Sequence, residues 1–443
     1  MKKELGIFTL LLVLCGVTAA INPRFLSVTN LTNMANIIGL FGIFSLGLGM
    51  VIITGGIDLS VGSMFALAGV LLSMFLTEIA WPFASWELRA NDFKQVPALV
   101  EKFQQPNAVS QYVWGQFPES LKQDLVKGAT DKEQWPKLQT SLAGELNRVI
   151  AGPSIYDKER FAAFSLSSKT KNLVEKDGAA KSHAKLNRLL IHSAYGETLT
   201  SPREFWPWPF AAAVAILIPM LLGWAHGALI TRMNIQPFIV TLCGLLLYRG
   251  LARYIADDGT KGLGNAEGFE TFASLAKGKF FGLPAPFVIL IVLSIIMWFV
   301  LHRSMYGRYL LAVGRNENAA RFSGINTRAV IATSYILMGL LTGIAGILFA
   351  FYTNSISPSN HGNFFELYGI AAAVLGGCSL RGGEGSVIGI LIGTALLQVL
   401  QNLVNLLGIP SSLNFAVMGA VVLIGVLADQ YFQERSKKKL VKH

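Results

Sequence analysis

A single acidic residue, Asp58, lies between two long apolar stretches of this 443-residue chain. Residues 34–54 and 61–77, which flank it, carry no charged side chain. The acid is surrounded by four small residues: Gly55, Gly56, Ser60 and Gly62. A carboxylate that faces lipid costs about 2.5 to 3.5 kcal/mol on insertion scales. We therefore expect Asp58 to face protein, water or the end of a helix.

The glycines predict a helix break at this acid, and the break has two interpretations. Broken helices in transporters expose helix-end dipoles and free backbone groups that line the solute pathway. Alternatively, Asp58 caps the next helix, where a carboxylate at the amino terminus contributes about 0.3 to 1 kcal/mol. A second double glycine, Gly376-Gly377, also interrupts two apolar runs. We predict that both breaks turn near the cytoplasmic face.

Four amides form a polar stripe in an otherwise apolar segment: Gln398, Gln401, Asn402 and Asn405. Residues 398, 402 and 405 share one helical face, because positions i, i+4 and i+7 align on a helix. Uncharged amides hydrogen-bond well to hydroxyls, as a sugar would require. The other interpretation is hydrogen bonding between helices, worth less than about 2 kcal/mol per contact. The stripe therefore predicts either part of a solute path or a helix interface.

Motifs for enzymatic or nucleotide chemistry are missing from the sequence. It contains no G-x-x-x-x-G-K-[ST] phosphate-binding loop and no H-E-x-x-H zinc motif. The three cysteines, Cys15, Cys243 and Cys378, form no C-x-x-C pair, which argues against a disulfide framework or a metal site. We therefore expect no catalytic residue, no metal and no cofactor in this chain.

The elements that must position these residues are membrane spans. The chain is 52% hydrophobic and only 14% charged, and its mean hydropathy of +0.50 lies outside the soluble class. A spanning helix needs about 20 mostly apolar residues. That length gives about ten candidates, near residues 5–21, 34–54, 60–79, 208–230, 236–256, 285–302, 330–352, 365–377, 386–407 and 413–428. The predicted fold class is all-α, a polytopic integral membrane protein. The first stretch also fits a signal peptide, although an uncleaved helix explains it equally well.

Basic residues predict the orientation of these spans. The net charge is +11, and its clustering in a few loops and at the termini is typical of topology signals rather than of nucleic-acid binding. The loop at 303–328 contains five arginines and a single acid, so we predict that it is cytoplasmic. With about ten spans, both termini, including the basic tail at 431–443, are then cytoplasmic as well.

A polar insertion, residues 80–206, separates the first three spans (1–79) from the remaining seven (207–430). Because three spans precede it and the amino terminus is predicted to be cytoplasmic, we predict that this insertion lies on the extracytoplasmic side of the membrane. Leucines and a valine at helical spacing predict amphipathic helices: Leu121, Leu125, Leu138, Leu142, Leu146 and Val149. Tryptophans at both edges, including Trp81 and Trp206, are typical of anchors at the membrane interface. The insertion is therefore either a structural addition or a dedicated binding module.

The arginine-rich loop contains a candidate contact for a partner protein. Its portion from Glu317 to Ala320 predicts a short helix that follows Asn316 and ends toward Gly324. Small side chains such as that of Ala319 allow a partner to approach closely. The alternative interpretation is a solvated loop.

Several spaced motifs resemble the membrane permeases of bacterial monosaccharide ABC importers, the ribose, xylose, arabinose and galactoside group, and most closely the ribose type. The resemblance covers essentially everything outside 80–206 and is carried by segments at 22–25, 55–62, 237–242, 249–250, 307–309, 316–325, 375–380 and 405–408. It implies a permease of about ten helices that pairs with a second copy, with ATPase subunits and with an extracytoplasmic sugar-binding protein. It also implies that the loop from Glu317 to Gly324 docks into the ATPase.

This chain departs from the family pattern at two places, and both bear on which solute and which partners the resemblance implies. The family has an acid two residues after the Glu366-Leu367 pair, where this chain has Tyr368. The insertion at 80–206 lies in a region that is short in the typical permease. We therefore keep two alternatives open, a nucleoside or branched-chain amino-acid permease of the same superfamily and an ion-coupled secondary transporter. The second is disfavoured because ion coupling usually leaves further carboxylates inside the spans.

Overall fold

The computed structural model describes residues 2–79, 81, 87–88, 96–105, 107–128, 135–162, 174, 183–195, 199–200, 205–263, 273–274, 276–280, 282–410, 413, 416, 419–420 and 423. The chain divides into two compact units. The membrane unit comprises Met1–Glu78 and Pro207–His443, and the inserted unit comprises Ile79–Trp206.

The membrane unit begins with three helices, α1 (Lys2–Ile21), α2 (Val28–Ile53) and α3 (Val61–Thr77). A 3-10 turn at Pro23–Leu26 separates α1 from α2, and the Asn22 side chain accepts a hydrogen bond from the backbone of Arg24 at its start. α2 is the more enclosed helix: 89% of the residues in its 18-residue apolar stretch are buried, compared with 6% in α1. α2 therefore belongs to the core of this unit, whereas α1 is peripheral.

The inserted unit is a small helical domain. Its described elements are β1 (Glu87–Leu88), α4 (Val96–Gln104), α5 (Ala108–Gln116), α6 (Glu119–Gly128), α7 (Trp135–Ala151), α8 (Lys158–Ala162), α9 (His183–Tyr195) and β2 (Leu199–Thr200). β1 and β2 pair antiparallel and bring the two ends of the unit together. All six apolar positions predicted from helical spacing are buried, which confirms the amphipathic helices. The placement of this unit outside the membrane stays a prediction.

One polar side chain, that of Asn187 in α9, lies at the centre of this helical core and is fully buried. Its Oδ1 accepts a hydrogen bond from the backbone N–H of Ile155 at 2.7 Å. Its Nδ2 donates to the carbonyls of Ile150 at 3.2 Å and Pro153 at 2.9 Å. The amide thus uses both its acceptor and its donors, and it fixes the turn after α7 against α9.

The membrane unit continues with α10 (Trp208–Arg232), α11 (Pro237–Ile255), β3 (Lys261–Gly262), β4 (Lys279–Phe280), β5 (Leu283–Pro284), α12 (Ala285–Trp298), α13 (Met305–Arg315), α14 (Glu317–Phe322), α15 (Thr327–Thr353), β6 (Ser355–Ile356), α16 (Phe365–Leu375) and α17 (Val387–Leu406). A π-helical turn at Phe299–Arg303 extends α12. Strand β3 pairs with β6, and β4 pairs with β5.

Within the described residues, seven helices are long and apolar enough to cross a membrane. This confirms the prediction of an all-α, polytopic membrane protein. Two further predicted spans correspond to the shorter apolar helices α3 and α16. The tenth predicted span, 413–428, lies largely outside the described residues.

Glycines allow the long helices of this unit to pack closely. A Cβ on Gly343 of α15 would lie 2.9 Å from the Cα of Ile216 in α10, and one on Gly227 would lie 2.7 Å from the Cα of Ala332. Small residues at helix contacts are typical of membrane proteins, where van der Waals packing drives helix association. Helices α10 and α15 therefore form a closely packed pair, and α15 also packs against α2.

Helices α3 and α16 are shorter than the seven long apolar helices found among the described residues. At 1.5 Å per residue they extend about 26 and about 17 Å, compared with a hydrocarbon core of about 30 Å. Each follows a largely non-helical segment, residues 54–60 before α3 and residues 354–364 before α16. These two discontinuous helices position the candidate site.

Candidate functional site

The non-helical segment 54–60 connects α2 to the amino-terminal end of α3. Gly55 makes the turn after α2 with φ of 83°, a conformation that favours glycine. At the other end, a Cβ on Gly62 would collide with the carbonyl of Gly362 and the carboxylate of Glu366. Because Gly362 and Glu366 flank the start of α16, the amino-terminal ends of the two short helices meet at Gly62.

The Asp58 side chain makes a local turn and does not cap α3. Its Oδ1 accepts hydrogen bonds from the backbone N–H of Ser60 at 2.8 Å and from the Ser60 hydroxyl at 2.6 Å. Ser60 occupies the N-cap position but makes no side-chain capping bond. The helix-cap interpretation of Asp58 is therefore wrong, because this residue precedes the N-cap by two positions and its carboxylate is engaged by Ser60.

The carboxylate at the start of α3 comes from Glu366. The buried Glu366 carboxylate lies against the backbone of Gly62, the second residue of α3. The N–H of Gly62 is one of the donors that a helix leaves without an internal partner. A negative charge is favourable at such a helix end. Glu366 thus ties α16 to α3, although the two residues lie far apart in the sequence.

Three buried polar side chains surround the middle of the break: Asp58, His226 of α10 and Tyr335 of α15. His226 Nδ1 lies 3.8 Å from Asp58 Oδ2, and its Nε2 lies 2.8 Å from the hydroxyl of Tyr248 in α11. Among the described residues, Asp58 Oδ2, His226 Nδ1 and the Tyr335 hydroxyl have no hydrogen-bond partner. The site therefore retains unused hydrogen-bonding capacity in a fully enclosed position.

Sequence reasoning missed the partners of Asp58. His226 was visible as an ionisable residue inside an apolar span, which by itself indicates a functional position. Tyr248 and Tyr335 gave no comparable signal, because tyrosine is ordinary in a membrane helix. Neither carries a motif that links it to Asp58.

A glycine junction connects the break to two other segments. A Cβ on Gly314, near the end of α13, would collide with the carbonyl of Ile53 and the backbone nitrogen of Gly383. The Gly383 N–H also donates to the Ile53 carbonyl at 2.8 Å. A Cβ on Gly382 would lie 2.9 Å from the backbone nitrogen of Gly55. Three chain segments thus touch backbone to backbone at the end of α2.

The second double glycine lies elsewhere in the unit. Gly377 has φ of 90° and turns the chain after α16. A Cβ on Gly376 would collide with the carbonyl of Gly389 in α17. Gly376 therefore packs α16 against α17 and Gly377 turns the chain, whereas the later glycines at 382 and 383 meet the first break.

The polar stripe of α17 makes contacts between helices. Asn402 and Asn30 of α2 exchange hydrogen bonds through their side-chain amides at 2.7 and 3.1 Å. Gln401 hydrogen-bonds to Tyr368 of α16. Gln398 is buried, whereas Asn405 is exposed. These contacts favour the helix-interface interpretation of the stripe.

The predicted short helix in the arginine-rich loop is present as α14. The Asn316 side chain caps it by accepting from the N–H of Ala319 at 3.0 Å. It ends in a Schellman motif, in which Gly324 has φ of 84° and the N–H of Ile325 donates to the Ala320 carbonyl. Glu317 accepts a hydrogen bond from the Thr327 hydroxyl at 3.2 Å. Phe322 is 86% exposed, so the helix presents an aromatic side chain to its surroundings.

In the described part of the chain, no three His, Cys, Asp or Glu side chains cluster at ligand distance. The site is thus a discontinuous-helix junction with buried polar groups.

Comparison with known proteins places the chain in a family. A family model described as the permease component of a branched-chain amino acid transport system matches residues 186–426, more than half of the chain. The chain belongs to this permease family. No solved structure gives a significant match.

Three relatives within the permease family are sugar transport proteins by name. The chain is 40% identical to the ribose import permease protein RbsC of Bacillus subtilis over 206 residues, which is 46% of this chain and 63% of that protein. It is 37% identical to RbsC of Escherichia coli K12 over 219 residues, 49% of this chain and 68% of that protein. It is 30% identical to the D-allose transport system permease protein AlsC of the same organism over 225 residues, 50% and 67% of the two chains. The match to the Bacillus protein thus spans less than two thirds of that relative.

Proposed function

We propose that this chain is the permease subunit of an ATP-binding-cassette importer that moves a monosaccharide, ribose or a related sugar, across the inner membrane into the cytoplasm. The observation that carries the proposal is the identity of 37 to 40% to two ribose import permeases. The allose relative also transports a sugar by name. The subunit is not an enzyme in this proposal, because ATP hydrolysis takes place on a separate chain.

Glu366 supports a neutral solute. The amino-terminal ends of half-helices in transporters bind the anionic groups of substrates. Here the Glu366 carboxylate already occupies the end of α3 at Gly62, and Asp58 is a second acid within its electrostatic range. The Arg249 guanidinium is also within electrostatic range of Glu366, so these three charged side chains are two acids and one base and offer an amino-acid carboxylate no net positive charge. We therefore favour a sugar over the branched-chain amino acid of the family description, and over a nucleoside or an ion-coupled substrate.

Helix α14 is the proposed contact with the ATPase. Its two capped ends hold a short, rigid helix, and exposed Phe322 provides the kind of aromatic anchor that dominates protein interfaces. Movement of α14 reaches α13, whose Gly314 packs against Ile53 and Gly383. ATP-driven closure would therefore bias the segment 54–60 between outward and inward arrangements.

The remaining partners follow from the proposed importer. We expect a homodimer of the permease and an extracytoplasmic sugar-binding protein. With both termini in the cytoplasm, the inserted unit lies on the side of the binding protein. The bilayer covers the apolar outer faces of the spanning helices.

Transport by the reconstituted importer tests the proposal. Vesicles containing the permease, its ATPase and the binding protein should take up labelled ribose or a related monosaccharide only when ATP is enclosed. A panel with allose, leucine and a nucleoside defines the solute class. Uptake that persists without ATP, or that follows an ion gradient, would contradict the proposal.

Substitutions in α14 test the ATPase contact separately. Phe322→Ala should lower co-purification of the ATPase about tenfold, as loss of an interface anchor typically does. Glu317→Lys and Gly324→Pro should also weaken it, because they disturb the first turn and the Schellman ending. Tyr254→Ala is the matched control, since Tyr254 is an equally exposed aromatic at 82% on α11. Normal co-purification in all three α14 variants would remove α14 from the interface.

A further inference from the structure

We infer that Asp58, His226 and Tyr335 form a binding site for one water molecule inside the membrane unit. Each of the three side chains is at most 2% exposed. Each has one polar atom without a hydrogen-bond partner among the described residues, namely Asp58 Oδ2, His226 Nδ1 and the Tyr335 hydroxyl. Buried polar atoms are almost always paired with protein or with an ordered water. Three such atoms in one place therefore indicate a shared ligand.

The three side chains adjoin one another. His226 Nδ1 and Asp58 Oδ2 are 3.8 Å apart, too far for a direct hydrogen bond but close enough for one bridging atom to contact both. The Tyr335 ring lies edge-on to the His226 ring, with centroids 6.4 Å apart. Tyr335 also lies within electrostatic range of Asp58. The three side chains therefore lie in one neighbourhood, as a single bridging water requires.

The donors and acceptors match a water molecule. The proposed site uses the neutral His226 tautomer that carries its proton on Nδ1, in which Nε2 accepts from the Tyr248 hydroxyl 2.8 Å away. His226 Nδ1 and the Tyr335 hydroxyl are then donors, and Asp58 Oδ2 is an acceptor. A water accepts two hydrogen bonds and donates one here. Three bonds are typical of a buried water. A sodium ion fits poorly, because a protonated nitrogen faces it and only two of the three groups offer oxygen.

Two glycines pack closely against these groups. A Cβ on Gly56 would lie 2.6 Å from the Tyr335 hydroxyl oxygen, and one on Gly244 would lie 2.8 Å from His226 Nε2. Any larger residue at either position would displace a member of the site. The water links segment 54–60 to α10 and α15 through bonds that exchange readily. The site thus allows the segment to move without leaving a buried charge unpaired. This role of the water does not depend on which solute is transported.

Radiolytic hydroxyl labelling in oxygen-18 water tests the site directly. Side chains beside a bound water take up the heavy oxygen even when bulk solvent cannot reach them. In the full-length protein in lipid nanodiscs, Tyr335 or His226 should be labelled at least several-fold above Phe44, an equally buried aromatic residue in an apolar environment. Labelling of both residues at the Phe44 level would overturn the proposal.

Two further comparisons identify the ligand. Tyr335→Phe removes one of its partners and should reduce the labelling of His226, whereas Asn402→Ala, in a separate amide pair, should leave it unchanged. The labelling should be the same in sodium chloride and in choline chloride. Loss of the label specifically in sodium would mean that a cation occupies the site and that the water assignment is wrong.

Discussion

Two sets of buried polar side chains, Asn187 in the inserted unit and Asp58, His226 and Tyr335 in the membrane unit, use their hydrogen-bonding atoms differently. In the inserted unit, Asn187 uses its acceptor and both its donors within the protein. In the membrane unit, Asp58, His226 and Tyr335 each retain an unpaired atom within the described part of the chain. A saturated network stabilises a single arrangement, whereas unused polar capacity permits a ligand or a second arrangement. We therefore propose a folding role for Asn187 and a functional role for the three membrane-unit residues.

The largest stability effect is expected from Asn187→Ala. The substitution leaves the Ile155 N–H and buried carbonyls without their partner, which should lower the free energy of unfolding of the inserted unit by about 2 to 4 kcal/mol. Pulse proteolysis of the intact protein in urea, read at cleavage sites in 79–206, measures this change. The control is Asn107→Ala, which removes an N-cap bond to Ser110 and should cost about 1 kcal/mol. Equal effects of the two variants would remove the special role of Asn187.

A smaller effect is expected at Gly56 in the membrane unit. Gly56→Ala places a Cβ against the Tyr335 hydroxyl and should lower the free energy of unfolding by about 1 to 3 kcal/mol. Tyr335→Phe alone should cost less than about 1 kcal/mol, because no hydrogen bond to a described residue is lost. Thermal unfolding followed by tryptophan fluorescence should show that the double variant is more stable than the sum of both effects predicts. Additive losses of stability would show that the added Cβ at position 56 does not clash with the Tyr335 hydroxyl.

The sequence predicts elements that depend on local patterns. Apolar length predicts the long spans, and Asn316 and Gly324 predict the beginning and the end of α14, because caps act through neighbouring residues. The break at Asp58 is likewise visible from its glycines. The six buried apolar positions of the inserted unit follow from helical spacing alone.

The candidate site depends on contacts between distant parts of the chain, which spacing does not reveal. Glu366 reaches Gly62 only because two short helices meet, and Gly383 reaches Ile53 only after the whole unit has folded. Local spacing therefore leaves Asp58 open to both interpretations, a helix cap or a break beside the solute path, and makes Gly376-Gly377 resemble the first break. The actual capping acid and the actual partner glycines lie in other segments.

The smallest stability effect is expected at the polar stripe. Asn402→Ala removes the amide pair with Asn30, and such contacts between membrane helices contribute about 0.6 kcal/mol on average. The exposed Asn405 serves as the matched control, and Asn405→Ala should leave the unfolding temperature unchanged. ATP-dependent uptake should remain normal in both variants. Abolished uptake with normal stability in Asn402→Ala would instead place the stripe in the solute path.

The assignment of the buried charge to function is tested most directly by ATP-dependent sugar uptake in Asp58→Asn. The amide oxygen can still accept the hydrogen bonds from Ser60, so folding and the unfolding temperature should be preserved. Loss of the charge should reduce the initial uptake rate at least about tenfold, equivalent to about 1.4 kcal/mol. An Asp58→Asn variant that transports at the normal rate would show that this carboxylate serves only the local turn, and it would contradict the account.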